Sequence, residues 1–280
     1  MKLYYEGSEG SIINLMGDGI YAQSPETLTG STWQYTATSE VNGLGRIKRF
    51  YKKMEERPLE LSIMADNEEE FNELTYRMHR IFERDIRRVK PGKIWWNDWY
   101  KEVFVVETSN DEFEENFQSI ERSLKLLSTK PYWTKATKFQ YLDQSQGGGS
   151  LDYDDSLLDY NDFDYDLEEL IEVIQNDCIG SAKFELKFYG PCQNPSVTVG
   201  DHIYELLTEL ESGEYAVIDS RNKTIRKYGS YGEEENIFAD RNKESYIFQE
   251  IPEGTIAISR DKLLKVDITL YDERGEPEWI

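Results

Sequence analysis

The side chains best suited to chemistry are scarce in this sequence and poorly spaced for it. There are two histidines, His79 and His202. Neither has a metal-ligating partner three or four residues away, whereas a metal site needs three or four ligands. Asp162, Asp164 and Asp166 imitate the first three ligands of a calcium loop, but Leu167 stands where that loop needs glycine and Val173 where it needs the bidentate glutamate. Only a looser calcium site stays open there. No Gly-x-Ser-x-Gly occurs, so no serine is presented between strand and helix. Gly43-Leu44-Gly45 lacks the preceding strand and following helix that cradle phosphate. Acids are too numerous for any one pair to mark a glycosidase. These residues point away from an enzyme and from a bound cofactor or metal.

Composition narrows the class further. The chain has 280 residues, 38% hydrophobic, 31% charged and 13% aromatic. That is polar for a globular protein but too aromatic for wholesale disorder, and long enough for two domains. The 19 tyrosines suit sheets and interfaces. A formal charge of −23 argues against binding nucleic acid or anionic lipid through the bulk field. Twelve of the acids fall between Phe139 and Ala182, a stretch without Lys or Arg. Such a run reads first as a solvated connector. The two cysteines, Cys178 and Cys192, fit a reduced compartment better than a secreted scaffold, with a Cys178–Cys192 bridge as the alternative. Neither a signal peptide nor an apolar run of membrane-spanning length is expected.

The elements follow from periodicity. Leu59 to Met64 alternates as a strand. Asp66 to Lys90 is the clearest helix, with Phe71, Leu74, Met78, Ile81, Phe82, Ile86 and Val89 on one stripe. Asp66 with Glu69 fits an acidic capping box, and Pro91-Gly92 stops the helix. Lys93 to Glu107 reads as a hairpin turning at Asn97-Asp98, crowded by Trp95, Trp96 and Trp99. Those tryptophans suit sheet packing or subunit contact better than sugar stacking. Asn116 to Ser128 is ambiguous: Phe117, Ile120, Leu124 and Leu127 suggest a helix, whereas Ile120, Arg122, Leu124 and Leu126 would line one strand face. Gln144 to Ser150 reads as a flexible linker, and Asp166 to Asn176 as a short helix on Leu167, Leu170, Ile171 and Ile174. From Ser181 onward about eight short strands separated by turn residues carry a sandwich signature.

The last third supports a family resemblance. Its residues are Gly190, Asn194 and Pro195, Gly213-Glu214-Tyr215 followed by Ile218-Asp219-Ser220, Lys223-Thr224, Ile251-Pro252-Glu253-Gly254, and the closing Leu270 to Trp279. Lys130-Pro131-Tyr132-Trp133 adds a match in the N-terminal half. In this order they resemble the distal tail proteins of siphovirus-type bacteriophages, in the version found with Gram-positive hosts. The resemblance implies a mainly β fold: an α+β N-terminal hub domain with one long helix (1–143), an acidic linker (144–180) and a galectin-like β-sandwich (181–280). It also implies that 116–128 ends as a strand.

Function is implied in the same way. The family forms a homohexameric ring at the distal end of the virion tail. The ring joins the tail tube protein to the tail-tip hub or tail-associated lysin protein, and in some phages anchors receptor-binding proteins. Synthesis would take place in the host bacterial cytoplasm. DNA would pass through the ring without being bound. A ring needs two different faces that meet, and complementary charge can fix their register. Arg46, Lys48, Arg49, Lys52, Lys53 and Arg57 are candidates for one face, and the acidic tract with Asp162, Asp164 and Asp166 for the other. The alternative is a carbohydrate-binding module that contacts host cell-wall glycans.

Overall fold

In the computed structural model the described residues are 1–39, 45–110, 120–142 and 172–278. The Gln144–Ser150 linker, Asp162, Asp164, Asp166, Phe117, Trp279 and the Gly43-Leu44 step lie outside them. The chain divides into two compact units, Met1–Lys135 with Glu273–Ile280, and Ala136–Asp272.

The first unit opens with β1 (Leu3–Glu6), β2 (Ile12–Asn14), β3 (Met16–Gly17) and β4 (Ile20–Ala22). Then come β5 (Gln34–Ser39), β6 (Gly45–Tyr51), β7 (Glu55–Ile63), α1 (Glu68–Arg88), β8 (Gly92–Trp96), β9 (Trp99–Asn110) and β10 (Ile120–Ser128). One antiparallel group runs β2-β1-β8-β9 and another β3-β4-β7-β10-β9, so the long β9 belongs to both. The core between them and α1 includes Leu61, Met78, Phe82, Trp96, Trp99 and Trp133.

α1 forms where the apolar stripe predicts it, but its cap is shifted by one residue. Asn67, not Asp66, is the N-cap; its side chain accepts from the Glu70 amide at 2.9 Å. Glu70 reciprocates by accepting from the Asp66 amide at 2.9 Å. Met78, Ile81 and Phe82 are buried, whereas Ile86 and Val89 at the far end of the stripe are exposed. Asp85 takes the inward position there. Its carboxylate accepts from the Tyr5 hydroxyl at 2.7 Å and from the Ser8 amide and hydroxyl at 2.9 and 2.6 Å. Burial and that carboxylate together raise the Tyr5 pKa. Gly92 is required beside them, because a Cβ there would overlap the Tyr5 hydroxyl.

The ambiguous segment resolves as strand over Ile120–Ser128, with Ile120, Arg122, Leu124 and Leu126 on the buried face. The Asn97-Asp98 turn closes the β8–β9 hairpin, with Asn97 at φ 53° as a tight turn requires.

The second unit contains the end of β11 (Trp133–Tyr141), then β12 (Glu172–Asn176), β13 (Lys183–Tyr189), β14 (Cys192–Gln193), β15 (Ser196–Val199), β16 (His202–Glu205) and β17 (Glu209–Leu210). β18 (Tyr215–Asp219), β19 (Thr224–Tyr228), β20 (Glu234–Asn236), β21 (Gly254–Arg260) and β22 (Val266–Arg274) follow. Two antiparallel layers, β20-β19-β18-β13-β22 and β12-β21-β15-β16, enclose Phe184, Phe188, Ile218, Ile225, Ile258 and Ile268. This is the expected sandwich.

The short helix expected over 166–176 is corrected in its described part. Glu172–Asn176 is strand β12, antiparallel to β21, with Ile174 opposite Ile256 in the core. Long-range pairing and the Arg260–Glu172 ion pair at 2.6 Å outweigh a local helical spacing there. No disulfide joins Cys178 and Cys192, so the alternative of a bridge does not hold.

Several residues that carry the family resemblance prove to be backbone requirements. A Cβ on Gly190 would overlap the Glu211 carbonyl, Asn194 adopts φ 48°, and Gly213 turns at φ 87°.

Candidate subunit interface: an unburied basic hairpin

Of the six candidate bases, Arg46, Lys48 and Arg49 lie on β6, and Lys52, Lys53 and Arg57 follow it. β6 pairs only with β5, and this two-stranded sheet joins no other among the described residues. The register runs Gln34↔Tyr51, Tyr35↔Phe50 and Thr36↔Arg49, then Ala37↔Ile47 and Thr38↔Arg46. Lys48 is skipped, so it is the extra residue of a β-bulge.

The bulge decides what each face carries. Ile47 and Phe50 are three apart and would otherwise point to opposite sides. With Lys48 bulged, both share a face with Tyr35 and Ala37, and the Tyr35 and Phe50 rings meet edge-on at 6.4 Å. The other face carries Arg46, Arg49, Tyr51, Thr36 and Thr38. The apolar face is uncovered in the single chain: Tyr35 is 63% exposed, Ile47 51% and Phe50 58%. A lone two-stranded hairpin is marginal in water, so this one lacks the burial that normally holds such an element.

Its base is clamped instead. Lys52 donates to the Ser31 hydroxyl at 2.7 Å and the Pro131 carbonyl at 3.2 Å, and its ammonium lies 5.2 Å from the centres of the Trp33 and Tyr132 rings. Arg57 binds Glu55 at 3.1 Å and donates to the Gly30 carbonyl at 3.3 Å. Glu55 also pairs at 3.0 Å with Lys101, a buried ammonium over the Trp133 ring. Burial by itself would raise the Glu55 carboxyl, but hydrogen bonds and charge from Arg57 and Lys101 outweigh it and hold the group below the usual carboxylate range. Burial lowers the Lys101 ammonium, against the pull of Glu55.

The six bases therefore separate. Arg46, Lys48, Arg49 and Lys53 are exposed, while Lys52 and Arg57 are half-buried and internally paired. The Lys130-Pro131-Tyr132-Trp133 segment supplies much of the clamp. Sequence reasoning missed Tyr35, Ile47 and Phe50, because the bulge hides their common face from any period-two reading. The acidic partners Asp162, Asp164 and Asp166 lie outside the described residues.

Both histidines have partners within the chain. His79 meets the Arg122 guanidinium at 2.6 Å, and His202 meets the Tyr246 carbonyl at 3.0 Å. Among the described residues no cluster of His, Cys, Asp and Glu could hold a metal ion. No described helix is long and apolar enough to cross a membrane.

Solved structures give the architecture a place. One from the phage P2 baseplate in its activated conformation with calcium matches at a TM-score of 0.63 and 14% identity, covering 99% of both chains. The strontium form of that baseplate also matches at 0.63 and 14%, over 99% of this chain and 98% of that one. The SPP1 Dit protein, described as a paradigm of the hub adsorption apparatus in phages infecting Gram-positive hosts, matches at 0.57 and 7%, over 97% and 98%. The chain has the fold of phage baseplate and Dit proteins. At these identities the likeness is one of fold, and it extends over both units. No protein-family model and no curated protein sequence matches the chain.

Proposed function

We propose that the chain is a structural, non-enzymatic subunit of a phage tail tip, a distal tail protein located at the far end of the virion tail. Six copies close into a ring that joins the tail tube protein to the tail-tip hub or tail-associated lysin protein. The ring also offers attachment to receptor-binding proteins. The observation that carries this reading is the β5–β6 hairpin, which is regular in structure yet covers neither face. The fold it shares over its length with baseplate and Dit proteins supports the same reading.

In a heterologous ring each copy offers one surface to a different surface of the next. The Tyr35, Ile47 and Phe50 face supplies the apolar contact, and Arg46, Lys48, Arg49 and Lys53 set its register against acids of the neighbouring copy. Asp162, Asp164 and Asp166 remain the candidate acids. The net charge of −23 suits a channel through which DNA slides without being held.

Negative-stain microscopy and light scattering on the purified chain test this. Closed rings are expected, and reversal of Arg46, Lys48, Arg49 and Lys53 to glutamate should leave folded monomers. Unchanged rings in that variant would remove the hairpin from the interface. Strict monomers for the unaltered chain mixed with its tail partners would remove the ring.

A further inference from the structure

In the first unit a shallow hollow of about 190 Å³ opens between β2, the β3–β4 turn and the N-terminal half of α1. Buried Ile13, Ile20 and Met78 form its floor, and Ile12, Leu74 and Arg77 stand at its sides. Its frame is held across elements. Arg77 donates to the Ile12 carbonyl at 2.8 Å, which ties α1 to β2. The Met64 amide donates to the Gly19 carbonyl at 2.7 Å, which ties the β3–β4 turn to the end of β7. Leu74 packs against the core, whereas Ile12 is 51% exposed and leaves an apolar rim in solvent.

Exposed acids gather at the same place. Asp18 lines the hollow, Glu70 stands one helical turn before Leu74, Glu73 is next to it, and Asp66 precedes the helix. Among the described residues no ion pair holds Asp66, Glu70 or Glu73. Arg77 is the one base in the lining. Here an apolar recess and free carboxylates occur together. Glu56, Glu60 and Glu121, the acids on the outer face of β7 and β10, stand on an open sheet instead, with the Lys125–Glu107 ion pair beside them.

We infer that this hollow receives the β5–β6 hairpin of a second copy of the chain, with the Phe50 ring in the recess and the hairpin's bases facing Asp18, Asp66, Glu70 and Glu73. The contact rests on the ring reading above and supplies the receiving surface for it. The hairpin is apolar on one face and basic around it; the hollow is apolar in its floor and acidic around it. An apolar cavity of about 150 Å³ takes up benzene, so there is room for one phenyl ring. Phe50 fits better than Tyr35, because it brings no hydroxyl that needs a partner once buried. Within one chain the two surfaces stay apart: Phe50 is 58% exposed and Ile12 51%. Two different surfaces that meet only between copies make the head-to-tail contact that a ring needs. Opposite charge sets their register and speeds their encounter.

The test exchanges the charges and maps the contact. Asp66→Lys/Glu73→Lys should weaken ring assembly by about 100-fold, since like charges then face each other. Adding it to the chain with Arg46, Lys48, Arg49 and Lys53 reversed to glutamate should restore rings, because both signs are then exchanged. Mixing the two singly reversed chains should also give rings, built of alternating copies. Independently, carbodiimide treatment of rings mixed from isotope-labelled and unlabelled copies of the unaltered chain should join Lys48 or Lys53 of one copy to Asp66, Glu70 or Glu73 of another. That cross-link decides the matter if a variant fails to fold. Rings indifferent to Asp66→Lys/Glu73→Lys, folded reversed chains that never recover rings together, or lysine links only to other acids such as Asp162, Asp164 and Asp166 would overturn the contact and leave the ring standing. Strict monomers of the unaltered chain would remove the ring itself, and this contact with it.

Discussion

Two hairpins of the first unit use the same motif and reach opposite ends of the burial scale. β8–β9 turns at Asn97-Asp98 and drives Ile94, Trp96 and Trp99 into the core. β5–β6 also collects its apolar side chains on one face, yet Tyr35, Ile47 and Phe50 remain in solvent. Both are antiparallel ladders, the second interrupted by the bulge at Lys48. The difference shows that a ladder does not make an element self-sufficient: net stabilisation per backbone hydrogen bond is small, and apolar burial supplies the rest. One hairpin is buried within its own chain, and the other leaves its apolar face in solvent.

The largest effect that can break this contrast comes from truncating one ring in each hairpin. Trp99→Ala should cost about 3–5 kcal/mol in urea unfolding, the range for a buried aromatic. Phe50→Ala should stay within about 0.5 kcal/mol in the monomer, as exposed positions do. The same Phe50 change should abolish ring formation. A large monomer penalty at Phe50 would mean that its face is already covered within the chain.

Next in size is the clamp at the base of β5–β6. Glu55→Gln leaves the buried Lys101 ammonium without its counter-charge, which should cost about 3 kcal/mol. The loss should be concentrated in the β5–β6 base, where protease would cut first. Uniform weakening of the whole unit would instead make Glu55 an ordinary core residue.

Hydrogen exchange gives a somewhat smaller readout. Amides of β5 and β6 should gain about 100-fold protection when monomers become rings, equivalent to about 2.8 kcal/mol. Those of β8 and β9 should not change. Equal protection in monomer and ring would place the hairpin outside the subunit contact.

How much of this was legible in the sequence follows from the same pair. β8–β9 announces itself, because its turn residues are of the type the geometry demands and apolar, aromatic-rich runs flank them on both sides. β5–β6 does not, because the bulge at Lys48 shifts the phase between Ile47 and Phe50. α1 was readable to within a residue at its cap. The exposure of Ile86 and Val89 was not, since a stripe does not say how far the opposing sheet extends. At Glu172–Asn176 the apolar spacing fits helix or strand, and only β21, some eighty residues away, decides it. The basic run was visible as charge. That Lys52 and Arg57 face inward was not, because their partners Ser31, Pro131 and Gly30 come from distant turns.

Acid should separate the two hairpins by taking their supports away in sequence, with the smallest effect coming first. The sheet containing β9 is backed through β10 by the contact between Arg122 and His79 on α1. Burial, then the charge of Arg122, holds the His79 pKa below its ordinary value of about 6.5. The native state then binds fewer protons there than the unfolded chain, so this stability is complete above that ordinary value and declines as pH falls below it. The clamp under β5–β6 depends on Glu55, a carboxyl held below its ordinary value of about 4.3. Its contribution is present above that value and is lost only as pH falls through the lower native one. Urea melts from pH 8 to pH 3 at fixed ionic strength should therefore show two limbs. His79→Gln should flatten the upper limb and Glu55→Gln the lower. If a single limb responded to both substitutions, the two hairpins would share one support, and the contrast between them would reduce to exposure alone.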